Sequence, residues 1–142
     1  MKRMSMARKV FLVTDGASKG NPGPSAIGFG IYGEGWTPLE EHTEFIGMAT
    51  NNEAEYKALI KGLQECMKYC EGEVEHFTDS KLLAKQASGE WTVRAPNLKL
   101  LAEEVFRKRL QFEEVIHKYV PRTDPKIQRI DDIVNKKMNS FL

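Results

Sequence analysis

The chain has 142 residues, 41% hydrophobic and 29% charged, with a formal net charge of +1. That is the composition of an ordinary globular protein, most simply one domain spanning residues 1–142 and burying a core of its own. A whole-domain basic footprint is absent, so any nucleic-acid binding must rest on a local patch.

Met1 to Lys9 carries four basic side chains, but the apolar run after them, Val10 to Val13, is too short for a signal-peptide core. No segment approaches a membrane span, and the expected location is the cytoplasm. Strands are predicted at 9–14, 26–32 and 39–47, separated by the turns Lys19-Gly20-Asn21-Pro22-Gly23-Pro24 and Gly33-Glu34-Gly35. Connections this short imply antiparallel neighbours. An amphipathic helix is predicted over 52–70, with Tyr56, Leu59, Ile60, Leu63, Cys66, Met67 and Cys70 on one stripe. The two cysteines read as core packing; a thiolate metal site would need further soft ligands at suitable spacing.

A strand at 74–78 follows, then a short helix near 80–87. Pro96 opens a helix to about residue 110, with Leu98, Leu101, Ala102, Val105 and Phe106 facing inward. A strand at 112–120 and a last helix over 127–140 complete the chain. The order β-β-β-α-β-α-α-β-α describes an α/β fold, a mixed sheet with helices on its faces. No repeat, low-complexity tract or linker interrupts it.

The chemistry lies in carboxylates. Asp15 follows the apolar strand Val10-Phe11-Leu12-Val13-Thr14, and Asp79 ends a second strand, Val74-Glu75-His76-Phe77-Thr78. Each alone reads as a turn residue or helix cap; together, at the ends of two apolar strands, they look like a site. Glu53 and Glu55 compete for a third position. Thr50 and Glu53 fit a capping box, which gives Glu53 a structural task, while Glu55 flanks the apolar stripe; geometry alone prefers neither strongly. On the last helix, Ile127, Ile130, Ile133, Val134, Met138 and Phe141 define the buried stripe. At about 100° per residue, Asp131 lies roughly 80° from that stripe's centre and Asp132 roughly opposite it, so Asp131 is the inward candidate. Four carboxylates without cations would repel and raise one another's pKa values, whereas two Mg²⁺ ions would neutralise them. Lys118, Arg122, Lys126, Arg129, Lys136 and Lys137 form either a nucleic-acid patch or a solvated helix face.

Several short motifs occur here in a fixed order. They are Thr14-Asp15-Gly16 with Gly20-Asn21-Pro22-Gly23, Thr50-Asn51-Asn52 with Glu55, Thr78-Asp79-Ser80, Val120-Pro121-Arg122, and Asp131. From Val10 to about Met138 the chain thereby resembles ribonuclease H of type 1. The resemblance implies an RNase H-like fold, a mixed five-stranded sheet of three antiparallel then parallel strands flanked by helices. It implies an endonuclease that hydrolyses the RNA strand of an RNA–DNA hybrid, leaving a 5′-phosphate and a 3′-hydroxyl. It also implies two Mg²⁺ ions (or Mn²⁺), one activating the attacking water and the other steadying the leaving oxygen. Carried over by position, Asp15, Glu55, Asp79 and Asp131 are the implied catalytic metal ligands. Asn21, Asn51 and Asn52 match residues that contact RNA 2′-hydroxyls, and Thr50 matches one that holds a DNA phosphate. The expected partner is the RNA–DNA hybrid, bound by a monomer, with no membrane. The pattern departs at Pro121–Ile130, which lacks the family's loop histidine and offers Arg122 as a substitute. The Ser88–Pro96 connection is too short for the basic protrusion of some members, which predicts weak hybrid binding at physiological salt. Ile130 and Asp132 flank Asp131 where smaller or differently charged residues are usual. The rival readings are a module of this fold that binds hybrid or double-stranded RNA without cutting, and a piece of a larger reverse-transcriptase or transposase-like protein.

Overall fold

Nine buried or half-buried positions run without a break from Val10 to Ser18, and the sheet covers both faces of this stretch by placing its strand in the middle.

 That strand is β1 (Ala7–Ser18), in which Ala7 is half-buried as well. The computed structural model describes residues 6–141. β1 is followed by β2 (Gly23–Tyr32), a single 3-10 turn (Glu34–Trp36), β3 (Pro38–Ala49), α1 (Asn51–Cys66) and β4 (Cys70–Thr78). Then come α2 (Lys81–Ala87), α3 (Pro96–Arg109), β5 (Glu114–Tyr119) and α4 (Pro125–Asn139). The five strands lie in the order β3-β2-β1-β4-β5. β1, β2 and β3 are antiparallel neighbours, whereas β4 joins β1, and β5 joins β4, in parallel. The sheet expected from the sequence is the sheet found.

Helices cover both faces. Val10, Leu12, Phe29, Ile31, Leu59, Leu63, Val74 and Val105 pack α1 and α3 against one side. Val13, Phe77, Ile127, Ile130, Val134 and Met138 pack α4 against the other. The stripe read on the last helix therefore holds, except at its end: Phe141 is 55% exposed and stacks on Phe45, ring centroids 4.5 Å apart. Among the described residues no helix is long and apolar enough to cross a membrane.

Several boundaries differ from the expected ones, each for a local reason. β1 does not stop at Thr14; Asp15, Gly16, Ala17 and Ser18 continue the ladder opposite Gly28, Ile27, Ala26 and Ser25. α1 ends at Cys66, and Cys70 opens β4 beside Ala7 instead of extending the helix. That strand start is possible because Gly72 has no side chain: a Cβ there would lie 2.2 Å from the Arg8 carbonyl oxygen. Both cysteines are buried and free. β5 is shorter than read because 110–113 form a turn, and α4 begins two residues early, where Asp124 accepts the Lys126 amide proton at 2.9 Å and Pro125 takes the first helical position. On α3, Leu98 and Val105 are buried as expected, but Phe106 is 60% exposed, since one step round the helix from Val105 carries it past the rim of the core.

Candidate active site

The close approach of α1 to β1 builds the site. A Cβ at Gly16 would stand 2.4 Å from the Ala54 carbonyl carbon, so only glycine lets the helix sit this near the strand. The next helical residue, Glu55, is thereby held beside Asp15, and its Oε1 accepts the Gly16 amide proton at 2.7 Å. Asp79 is the first residue past β4. Ser80 caps α2 by accepting the Leu83 amide proton at 3.1 Å, which leaves Asp79 free of that duty. Asp15, Glu55 and Asp79 each present a carboxylate oxygen, and these oxygens lie within 4.8 Å of one another.

Position separates Glu53 from Glu55. Glu53 closes the capping box, accepting from the Thr50 amide at 2.7 Å while its own amide donates to Thr50 Oγ1 at 3.1 Å. Asp131 is half-buried and faces the same cleft, whereas Asp132 is exposed. Asp131 stands outside the three-carboxylate cluster, and its Oδ2 accepts from Asn135 Nδ2 at 3.1 Å.

The cleft holds about 460 Å³, and Asp15, Glu55, Asp79, Asn51, Arg122 and Asp131 are all in its wall. Asn21, Thr50 and Asn52 are not. Asn21 nevertheless reaches the rim, where its Oδ1 accepts the Asn51 amide proton at 3.0 Å. Lys19, Tyr119 and Asn135 line the cleft and were not anticipated from the sequence. Asn135 had a readable signal, its spacing of four from Asp131 on one helix face. Lys19 and Tyr119 had none, since a turn and a strand end meet there only after folding.

Electrostatically the cluster is short of positive charge. Asp15 and Glu55 are each 5% exposed. Burial, then the charges of Asp79 and Asp131, push the Asp15 carboxyl up to about 8. Burial and the Asp15 charge raise Glu55 well above the usual carboxylate range. Asp79 is raised by burial, partly opposed by Arg122, whose Nε lies 4.0 Å from Asp79 Oδ2. Arg122 is itself 81% exposed and cannot balance three acids through water. Asp15 Oδ2 is buried with no hydrogen-bond partner among the described residues. An all-oxygen donor set with an unpartnered buried oxygen fits a hard divalent cation such as Mg²⁺ or Mn²⁺.

The remaining basic candidates are largely compensated. Lys118 pairs with Glu75, Lys126 with Asp124, and Arg129 with Glu41. His117 lies on β5 and its ring meets His76, so it is not a loop residue at the cleft.

A family profile described as reverse transcriptase-like matches residues 14–128. "Ribonuclease HI" of Halobacterium salinarum is 33% identical over 138 residues, covering 92% of this chain and 65% of that protein. The chain belongs to the ribonuclease H type 1 family. "Bifunctional protein Rv2228c" of Mycobacterium tuberculosis is 40% identical over 115 residues, which is 80% of this chain but 32% of that protein. The chain thus spans about a third of the length of the mycobacterial relatives it matches. The solved N-terminal RNase H domain of that protein, as a fusion with maltose binding protein, has a TM-score of 0.89 and 36% identity, covering 94% of this chain and 96% of its own. LC11-RNase H1, solved in complex with an RNA/DNA hybrid, has a TM-score of 0.86 and 33% identity, covering 93% and 98%. Within this family the chain carries a direct 88–95 connection between α2 and α3 and no histidine between Pro121 and Ile130.

Proposed function

We propose that this chain is an endonuclease that hydrolyses the RNA strand of RNA–DNA hybrids in a divalent-cation-dependent reaction, leaving a 5′-phosphate and a 3′-hydroxyl. The observation that carries this reading is the meeting of Asp15, Glu55 and Asp79 oxygens within 4.8 Å at the wall of one open cleft. A surface that only binds nucleic acid needs cations facing phosphates; a buried anionic cluster would repel them. Membership of the family and its likeness to a hybrid-bound relative support the substrate class.

Asp15, Glu55 and Asp79 would hold the ions, with Asp131 completing the set, and two divalent ions would balance four carboxylates in full. When bound, such ions make water a stronger nucleophile at neutral pH and offset charge on the phosphate and the departing oxygen. The chain's own residues bind and orient. Asn21 and Asn51, joined at the rim, and Asn52 beside them offer amides to 2′-hydroxyls, a feature that separates RNA from DNA. Thr50, at the start of α1, is placed to receive a phosphate of the DNA strand. Arg122, exposed beside Asp79, would meet the phosphate of the cut strand. We further propose that residues 1–142 act as a single domain and a monomer, in the cytoplasm.

Replacing Asp79 by Asn tests the reading. The variant should keep its circular-dichroism spectrum and lose hybrid cleavage by about 10²-fold or more, the scale seen when one preorganised charge interaction is removed. The wild-type protein, with Mg²⁺ or Mn²⁺, should cut only the RNA of an end-labelled hybrid, and a chelator should stop it. Hybrid binding without cutting under either metal would instead assign the fold to a binding module.

A further inference from the structure

A chain of polar side chains crosses β1, β4 and β5 near the positions that carry the carboxylates, on the face of the sheet covered by α1. Thr14 Oγ1 lies 2.7 Å from His76 Nε2, and His76 Nδ1 lies 2.8 Å from His117 Nδ1. Thr14, on β1, is adjacent in sequence to Asp15; His76, on β4, is three residues before Asp79; His117 is opposite His76 on β5. Thr14 and His76 are completely buried. Burial holds His76 well below its ordinary value, and burial with the Arg109 charge takes His117 down to about 3, so both rings are neutral. Each contact then contains one proton. A donor at one ring nitrogen obliges the other to accept, and the chain ends at His117 Nε2, which is buried with no hydrogen-bond partner among the described residues.

Burying three polar side chains costs free energy that apolar residues of similar size would not incur. The sheet ladder already specifies which residues pair, so the chain is not needed for register. It does fix something finer. The backbone bonds of parallel strands are slanted and pair slightly less stably, and the 2.7 Å Thr14–His76 bond adds a directional side-chain tie between β1 and β4. The methyl of Thr14 meets α1 at Gly62, where a Cβ would lie 3.4 Å from it, so the hydroxyl is turned toward His76 from the packed side.

We propose that Thr14, His76 and His117 are positioning residues, which hold β1 and β4 so that the Asp15 and Asp79 carboxylates keep the separation a divalent cation requires. This rests on the reading of the carboxylates as a cation site. Partners bonded directly to ligating groups typically change metal affinity or activity roughly tenfold to a hundredfold when lost, and Thr14, acting through the backbone, is expected at the lower end.

Thr14→Val and Thr14→Ser separate positioning from packing, because the first keeps the methyl facing Gly62 and removes the hydroxyl, while the second does the reverse. The experiment is calorimetric titration of the metal-free wild type and both variants with Mn²⁺, followed by kcat and KM on an RNA–DNA hybrid. Thr14→Val should bind Mn²⁺ about tenfold more weakly, with kcat reduced and KM for the hybrid unchanged, while Thr14→Ser stays within about twofold of wild type. Should Thr14→Val not fold, His117→Leu, which breaks the chain at its far end, is expected to show the same loss. Wild-type Mn²⁺ affinity in a folded Thr14→Val or His117→Leu protein would overturn the proposal, as would equal losses in Thr14→Ser and Thr14→Val. A wild-type protein that binds no Mn²⁺ would remove the cation site itself, and the positioning role with it.

Discussion

Gly16 and Glu55 are joined by a 2.7 Å hydrogen bond from the Gly16 amide to Glu55 Oε1, at the point where β1 and α1 are too close for any side chain on Gly16. One glycine therefore sets both the packing of the longest helix and the place of a buried acid. Gly16→Ala should lower stability by about 1–3 kcal/mol, the usual cost of overpacking. It should also lower cleavage by about 10²-fold, the scale for displacing a reacting group by about 1 Å. Urea unfolding and a hybrid-cleavage assay check the two effects, and a fully active variant would show that Glu55 need not be held here.

Much of this is legible in the sequence, because apolar strand patterns announce themselves, although β1 runs on past Asp15 to Ser18. An apolar run closing on Thr-Asp identifies Asp15 and Asp79 without tertiary knowledge. Glu55 was harder, since Glu53 fits the local capping rule and only the approach of α1 to Gly16 shows which acid faces inward. The boundary between α1 and β4 differs from the sequence reading because the apolar period of the helix continues through Cys70, while Cys70 pairs with Ala7 of β1, distant in sequence. The His76–His117 contact was invisible for a related reason: in one dimension each histidine is simply a polar residue in an apolar strand.

The metal-free protein should lose stability as pH rises through neutrality toward about 8. Asp15 is raised to about 8 in the folded state, so the folded protein keeps a proton that the unfolded chain releases in the ordinary carboxylate range. This contribution is fully present below that range and is lost as pH rises toward about 8. His76 and His117 act oppositely, costing stability as pH falls below their ordinary 6.5. Between 6.5 and 8 the carboxylates act alone, and the melting temperature should fall across that interval. Asp15→Asn should flatten the fall, and saturating Mg²⁺ should suppress it. Calorimetric scans with chelator and with Mg²⁺ provide the comparison; a level profile in chelator would mean the acids are less desolvated than their burial implies.

Arg122 lies at the cleft mouth, largely exposed and 4.0 Å from Asp79. Its expected role is electrostatic attraction to a phosphate. Arg122→Ala should weaken hybrid binding across unrelated sequences and reduce the slope of log affinity against log salt by about one. Arg122→Lys should retain most of the slope, since a point charge suffices for counterion release. Filter binding across a salt series measures both. An unchanged slope in Arg122→Ala would place the phosphate elsewhere.

Asp131 and Asp132 are neighbours with opposite surroundings, one in the cleft wall and one in solvent. Asp132→Asn should leave cleavage unchanged. Asp131→Asn should reduce it, but less than Asp79→Asn does, because Asp131 stands outside the cluster of Asp15, Glu55 and Asp79. Its contact with Asn135 suggests the means: the carboxylate is aimed by a residue one turn along α4. Asn135→Ala should therefore reproduce part of the Asp131→Asn defect, and the double variant should lose little more than Asp131→Asn alone. Cleavage rates of the four variants at saturating Mn²⁺ test this coupling; additive losses from Asp131→Asn and Asn135→Ala would show that the two side chains act independently.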